Sequence, residues 1–156
     1  MIKKLFLIAL AVGALFGAKM EITKDTTCLI RKVKVYQAPE WIASIQIKSG
    51  EIIYFSSPKS MFEFYFEPSR WPEYQIKQDS DMRINATDYD TLEKIPAREA
   101  YYVYGSQKTS PAGDDLPAFS SKDKAEKFSK KYHGSRVLDF SQVSDGLINL
   151  LNDKLH

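Results

Sequence analysis

The residue of this sequence best equipped to do chemistry is Cys28, the single cysteine among 156 residues. One thiol cannot close an intramolecular disulfide or complete a four-thiolate cluster. It can act as a thiolate, and thiolates with thioethers suit soft ions such as Cu(I). Met20, Met61 and Met82 are the thioethers available to assist it. The same residues also have a plainer reading: Cys28 as a small buried strand residue, and Met61, set among aromatics at helical spacing, as core.

Other reactive residues do not assemble into catalytic patterns. His133 precedes Gly134 at an expected helix end, where unpaired carbonyls account for a polar ring, and His156 is terminal. There is no Gly-x-Ser-x-Gly elbow, no His-Glu-x-x-His and no cysteine beside a histidine. Asp114 and Asp115 form a carboxylate pair in a Pro-Gly loop, a setting that favours solvated turn residues over general acid/base work. Lys122, Lys124, Lys127, Lys130 and Lys131 read as the solvated face of a helix. The expectation is a protein that is not an enzyme.

Lysine and arginine number 22 against 20 aspartates and glutamates. The excess belongs to Lys3 and Lys4, in a segment without acids, so the remainder is balanced and a nucleic-acid partner is not expected. After Lys3-Lys4 comes the apolar run from Leu5 to Phe16 and the small residues Gly17-Ala18. That is the layout of a secretory signal peptide over 1–18, too short to span a membrane, which takes about 20 apolar residues. The expected location is the periplasm, without stable membrane insertion after cleavage. With no cysteine at the exit to take a lipid, a lipoprotein is not expected.

The elements that must position Cys28 follow from patterning. Residues 19–27 read as a linker. Alternation predicts strands in 28–35 and 42–47, and Ile45 and Ile47 pair with the run Ile52 to Phe55 across Lys48-Ser49-Gly50-Glu51 as a hairpin. Ser57 caps a helix with Pro58 at its first position and Met61, Phe62, Tyr65 and Phe66 at helical spacing, and Pro68 and Pro72 end it. Tyr74 to Ile76 and Met82 to Thr87 are candidate strands. The plan then recurs: a strand over 100–106, a turn-rich loop over 109–115, a short strand at Ala118-Phe119, a helix from Lys122 to Tyr132 capped by Ser121 and stopped by Gly134, and a strand over 136–140. Phe55-Ser56-Ser57 and Phe119-Ser120-Ser121 open the two helices alike. The fold class is therefore α+β, with two ββαβ-type units in tandem, 28–90 and 95–142, read as an internal duplication. A short amphipathic helix follows over 144–156.

The block from Ala100 to Phe119, with Ala-Tyr-Tyr-Val-Tyr-Gly-Ser and Ser-Pro-Ala-Gly-Asp-Asp-Leu-Pro-Ala-Phe, resembles the NosL family of nitrous oxide reductase accessory proteins. The resemblance extends over a Cys-containing segment, the hairpin Trp41 to Ile45, the helix Met61-Phe62-Glu63-Phe64-Tyr65 and a closing Gly134 to Phe140. It implies an exported copper-binding protein that delivers Cu(I) to a client copper enzyme such as nitrous oxide reductase, on a fold related to part of the organomercury lyases. Copper would be held by Cys28, with Met61 as helper. Where the family usually has Cys-x-x-Cys-Gly-Met, this chain reads Cys28-Leu29-Ile30-Arg31-Lys32-Val33, and for Pro-Met-Gly it reads Pro111-Ala112-Gly113. The alternative these losses suggest is a copper-free protein-interaction domain, presenting Trp71, Tyr74, Tyr101 and Tyr102 or the lysine helix.

Overall fold

The computed structural model describes residues 17–153. The apolar run read as a signal peptide, and the tail that includes His156, lie outside them.

Strands β1 (Ala43–Ile47) and β2 (Ile52–Phe55) form the expected hairpin, with Ala43 opposite Phe55 and Ile45 opposite Ile53. Gly50 takes φ +94°, a conformation open to glycine at little cost. Ala43, Ile45, Ile47, Ile53 and Phe55 are buried. They face helix α1 (Pro58–Phe66), whose Ser57 hydroxyl accepts the Ser60 N–H. Strand β3 (Met82–Thr87) pairs with the other edge of β1 and with β4 (Lys94–Pro96), giving an antiparallel sheet of order β2-β1-β3-β4.

The second half contains β5 (Tyr101–Tyr104), the two-residue hairpin of β6 (Thr109–Ser110) and β7 (Gly113–Asp114), β8 (Ala118–Phe119), helix α2 (Lys122–Lys131) and β9 (Arg136–Asp139). Its sheet has order β8-β5-β9, again antiparallel. In both halves the first strand is central, flanked by the strand just before the helix and by the strand after it. Helix α3 (Asp145–Asp153) closes the chain, with Ile148 and Leu151 buried.

Two expected strands are absent. Residues 28–33 close into a tight loop, with the Cys28 N–H bonded to the Val33 carbonyl at 2.9 Å and Lys32 at φ +60°. Tyr74 ends the second of two 3₁₀ turns, Pro68–Arg70 and Pro72–Tyr74, each opened by a proline, and Gln75 after it is left-handed at φ +53°. Proline favours such a first position and denies a strand its donor. At the end of α2 the left-handed residue is His133, φ +57°, rather than Gly134.

The halves are joined where β3 runs on into Asp88, which bridges Ala118 in parallel, and the Tyr89 N–H bonds the Ala118 carbonyl at 2.9 Å. Trp41 meets Tyr89 edge to face at 5.3 Å. One apolar cluster, holding Cys28, Met61, Phe62, Tyr102, Leu138 and Ile148, takes residues from both halves. Residues 17–22 lie along the first sheet: the Lys94 N–H bonds the Ala18 carbonyl at 2.7 Å, and Tyr54 Oη donates to the Glu21 carbonyl at 2.5 Å. No helix among the described residues is long and apolar enough to cross a membrane.

Candidate functional site

Cys28 opens the tight loop, and its side chain is fully buried. Its Sγ accepts the Arg31 backbone N–H at 3.3 Å. The Leu29 N–H bonds the Tyr54 carbonyl at 3.0 Å, fastening the loop to β2. Lys32, in the left-handed region, turns the chain back so that Val33 can pair with Cys28.

The Arg31 side chain spans three elements. Its Nε donates to Ser60 Oγ at 3.2 Å, and its Nη2 donates to Glu63 Oε2 at 2.6 Å and to Asn152 Oδ1 at 2.9 Å. Asn152 Nδ2 in turn donates to Glu63 Oε1 at 2.6 Å. The loop is thus clamped between α1 and α3. Arg31 and Glu63 keep 23% and 13% of their side-chain surface, so this ion pair is far less screened than one in open solvent. Met61 belongs to the same helix as Ser60 and Glu63, is fully buried, and shares the apolar cluster with Cys28.

A second polar group lies at the start of α1. Lys59 is fully buried, and its Nζ donates to the Ala112 carbonyl at 2.5 Å. Asp115 accepts the Lys59 backbone N–H at 2.8 Å, the Leu116 N–H at 2.8 Å and the Ser110 hydroxyl at 2.6 Å. Burial pushes the Asp115 carboxyl above its ordinary range, against the hydrogen bonds from Ser110, Ser57 and the backbone. Burial pulls the Lys59 ammonium below its ordinary range, against the attraction of Asp115. The Pro111-Ala112-Gly113 loop is in this way tied to the helix that carries Met61, with Ala112 itself buried.

The two residues expected to hold a metal therefore share one region, but both are core side chains. Among the described residues, no group of three or more His, Cys, Asp or Glu is placed to hold a metal ion. The carboxylate pair is not the solvated turn expected of it, since Asp115 is buried and structural. Nor do the four aromatics form a common surface: Tyr102 is fully buried with its hydroxyl on the Ala97 carbonyl at 2.6 Å, and Trp71 and Tyr74 pack on Phe64. Arg31, Glu63 and Lys59 carry no signal of a site role in the sequence. A usable signal existed for Asn152, which lies one helical turn beyond Ile148 and so falls on the buried face of α3.

The fold and site define a small α+β protein of antiparallel sheets and, among the described residues, three α-helices, with a buried thiol in a clamped loop. The NosL family model matches residues 19–148, and the chain belongs to the NosL family. Among solved structures, the chain is similar to the copper chaperone NosL from Shewanella denitrificans, with 22% identity, a TM-score of 0.66, and coverage of 82% of this chain and 98% of that one. At that identity the likeness speaks for the fold. No curated protein matches the sequence.

Proposed function

We propose that the protein is an exported NosL-type accessory protein of the periplasm, which holds or delivers Cu(I) for assembly of a copper enzyme such as nitrous oxide reductase. Cys28 supplies the thiolate and Met61 a thioether. The observation that carries this reading is the attachment of the Cys28 loop, through Arg31 and Ser60, to the helix that bears Met61. Thiolate and thioether suit Cu(I), and an ion held by few ligands can pass to a recipient by stepwise exchange. Because both sulfurs are buried, copper enters and leaves through an opened form of the loop. The recurrence of the same strand order in the two halves supports duplication of one ββαβ unit as the origin of the fold.

The test is an anaerobic Cu(I) titration against a competing chelator, with wild type, Cys28→Ser and Met61→Leu. Stoichiometric binding lost in Cys28→Ser and weakened in Met61→Leu supports the reading; unchanged binding in Cys28→Ser refutes it. Export is tested by mass spectrometry of the periplasmic fraction, where the expected first residue is Lys19.

One observation favours a second reading. The buried Cys28 thiol is engaged by the Arg31 backbone N–H, and the Arg31 guanidinium is satisfied by Ser60, Glu63 and Asn152. A loop held in this way suits a NosL-fold domain that has given up copper and works by binding a partner protein. Failure of the wild type to compete for Cu(I), together with capture of the client enzyme by the metal-free protein, would establish it.

A further inference from the structure

The polar residues around the Cys28 loop do more than fill space, because one of them comes from the last turn of α3. Arg31 is held from two sides, by Glu63 of α1 and by Asn152 of α3, and these two also bond each other. Within the loop, the thiol is engaged by the Arg31 backbone N–H. A large movement of the Arg31 main chain away from Cys28 works against the bonds that hold its guanidinium to Ser60, Glu63 and Asn152. Helix α3 is an element of nine residues, seated by Ile148 and Leu151. Short elements held by few buried side chains open at lower free energy than central strands.

We propose that α3 is a closure over Cys28: the Arg31–Glu63–Asn152 network latches the loop, and undocking of the C-terminal helix exposes the thiol without unfolding the two sheets. This rests on the reading of Cys28 as the working ligand and adds what governs access to it. Arg31, Glu63 and Asn152 act as positioning residues. An incoming cation or client reaches Cys28 once α3 has moved, so loading is set by a conformational step rather than by the thiol alone.

The experiment uses the purified, reduced, metal-free protein. Cys28 is labelled with N-ethylmaleimide, and the rate is followed by mass spectrometry at several urea concentrations below the unfolding transition. Opening by α3 alone exposes little surface, so the wild-type rate is expected to be nearly independent of urea, whereas labelling through global unfolding follows its full urea dependence. Asn152→Ala and Glu63→Gln each remove charge-assisted bonds to Arg31 and are expected to speed labelling about tenfold. Phe128→Ala is the control. It lowers global stability from a separate apolar cluster formed with Val103, Phe119 and Ala125, and it is expected to leave the urea-independent rate unchanged. The proposal is overturned if wild-type labelling carries the full urea dependence, or if the latch variants label no faster than Phe128→Ala. Copper takes no part, so this result and the Cu(I) titration can fail independently.

Discussion

Asp115 Oδ1 accepts the backbone N–H of Lys59 at 2.8 Å across a sequence separation of 56 residues. A loop of the second half thereby satisfies a first-turn donor of α1, in addition to the Ser57 cap, and holds the Lys59 side chain in a buried setting. Helix starts leave such donors without intrahelical partners, and a carboxylate there also meets the positive end of the helix dipole.

Asp115→Ala is expected to be among the most damaging single substitutions in the second half. It leaves the Lys59 and Leu116 backbone N–H groups and the Ser110 hydroxyl without their buried acceptor, at about 1–3 kcal/mol for each donor left unpaired. The double variant Asp115→Ala/Lys59→Met also removes the buried ammonium that has lost the attraction of Asp115, and is expected to be more stable than Asp115→Ala alone. Urea midpoints of the two single variants and the double variant decide the matter.

Asp88 makes stability depend on acid pH. Burial alone would raise its pKa, but hydrogen bonds from Ser120 and from the Thr91 and Asp90 N–H groups outweigh it, so the carboxyl titrates below its ordinary 3.8. A depressed folded pKa gives stability that is fully present above the unfolded value and is lost as pH falls through the folded one. Asp88→Asn should thus be less stable than wild type above about pH 4, and the gap should close at lower pH. Asp115 has the opposite sign. Its raised pKa favours the folded state at low pH and weakens it as pH rises through the folded value. Urea midpoints of wild type and Asp88→Asn between pH 2 and pH 7 check the prediction.

Gly134 and His133 have exchanged their expected roles at the end of α2. A Cβ at Gly134 would lie 2.6 Å from Val103 Cγ1 and 2.4 Å from Ser129 Oγ. The serine hydroxyl can rotate away, but Val103 is fully buried. Gly134→Ala is expected to cost about 1–3 kcal/mol through overpacking. His133 pays the left-handed penalty that glycine avoids, so His133→Gly is expected to be stabilising, by up to about 1 kcal/mol. Thermal midpoints of the two variants should move in opposite directions.

The elements legible in the sequence are those whose cause is local. Ser57-Pro58 and Ser121 fix their helix starts through hydroxyls that act three residues downstream. Gly50 fixes the hairpin turn, and alternating apolar residues fix which face of β1 is buried. The Cys28 segment alternates like a strand, but its Cys28 N–H turns back to Val33, and the bond from Leu29 to Tyr54 of β2 is not continued into a ladder. At the site, Cys28 and Met61 could be named from residue type, and they do share a cluster. Their burial is the plainer of the two readings their residue types allow, whereas Arg31 meeting Asn152 at a separation of 121 residues is a pairing without local signature. The same holds for Asp115, whose loop composition suggests solvent until Lys59 is placed beside it.

The two helix caps offer a final comparison, since the segments before them are alike in sequence. Ser57 Oγ accepts the Ser60 N–H at 3.3 Å, and Ser121 Oγ accepts the Lys124 N–H at 3.2 Å, so the capping bonds themselves are equivalent. Their surroundings are not. Ser57 is fully buried and its hydroxyl also serves the Asp115 carboxyl, whereas Ser121 remains partly exposed and water can replace it. Ser121→Ala is expected to cost about 1 kcal/mol, the ordinary value of an N-cap. Ser57→Ala is expected to cost about 2 kcal/mol or more, because a buried carboxyl loses a donor along with the cap. Equal losses in urea denaturation would mean that Ser57 acts as a cap alone and that Asp115 is satisfied by Ser110 and the backbone. A larger loss at Ser57, rising further when Ser110→Ala is combined with it, would show that the first helix start has been built into the contact between the halves.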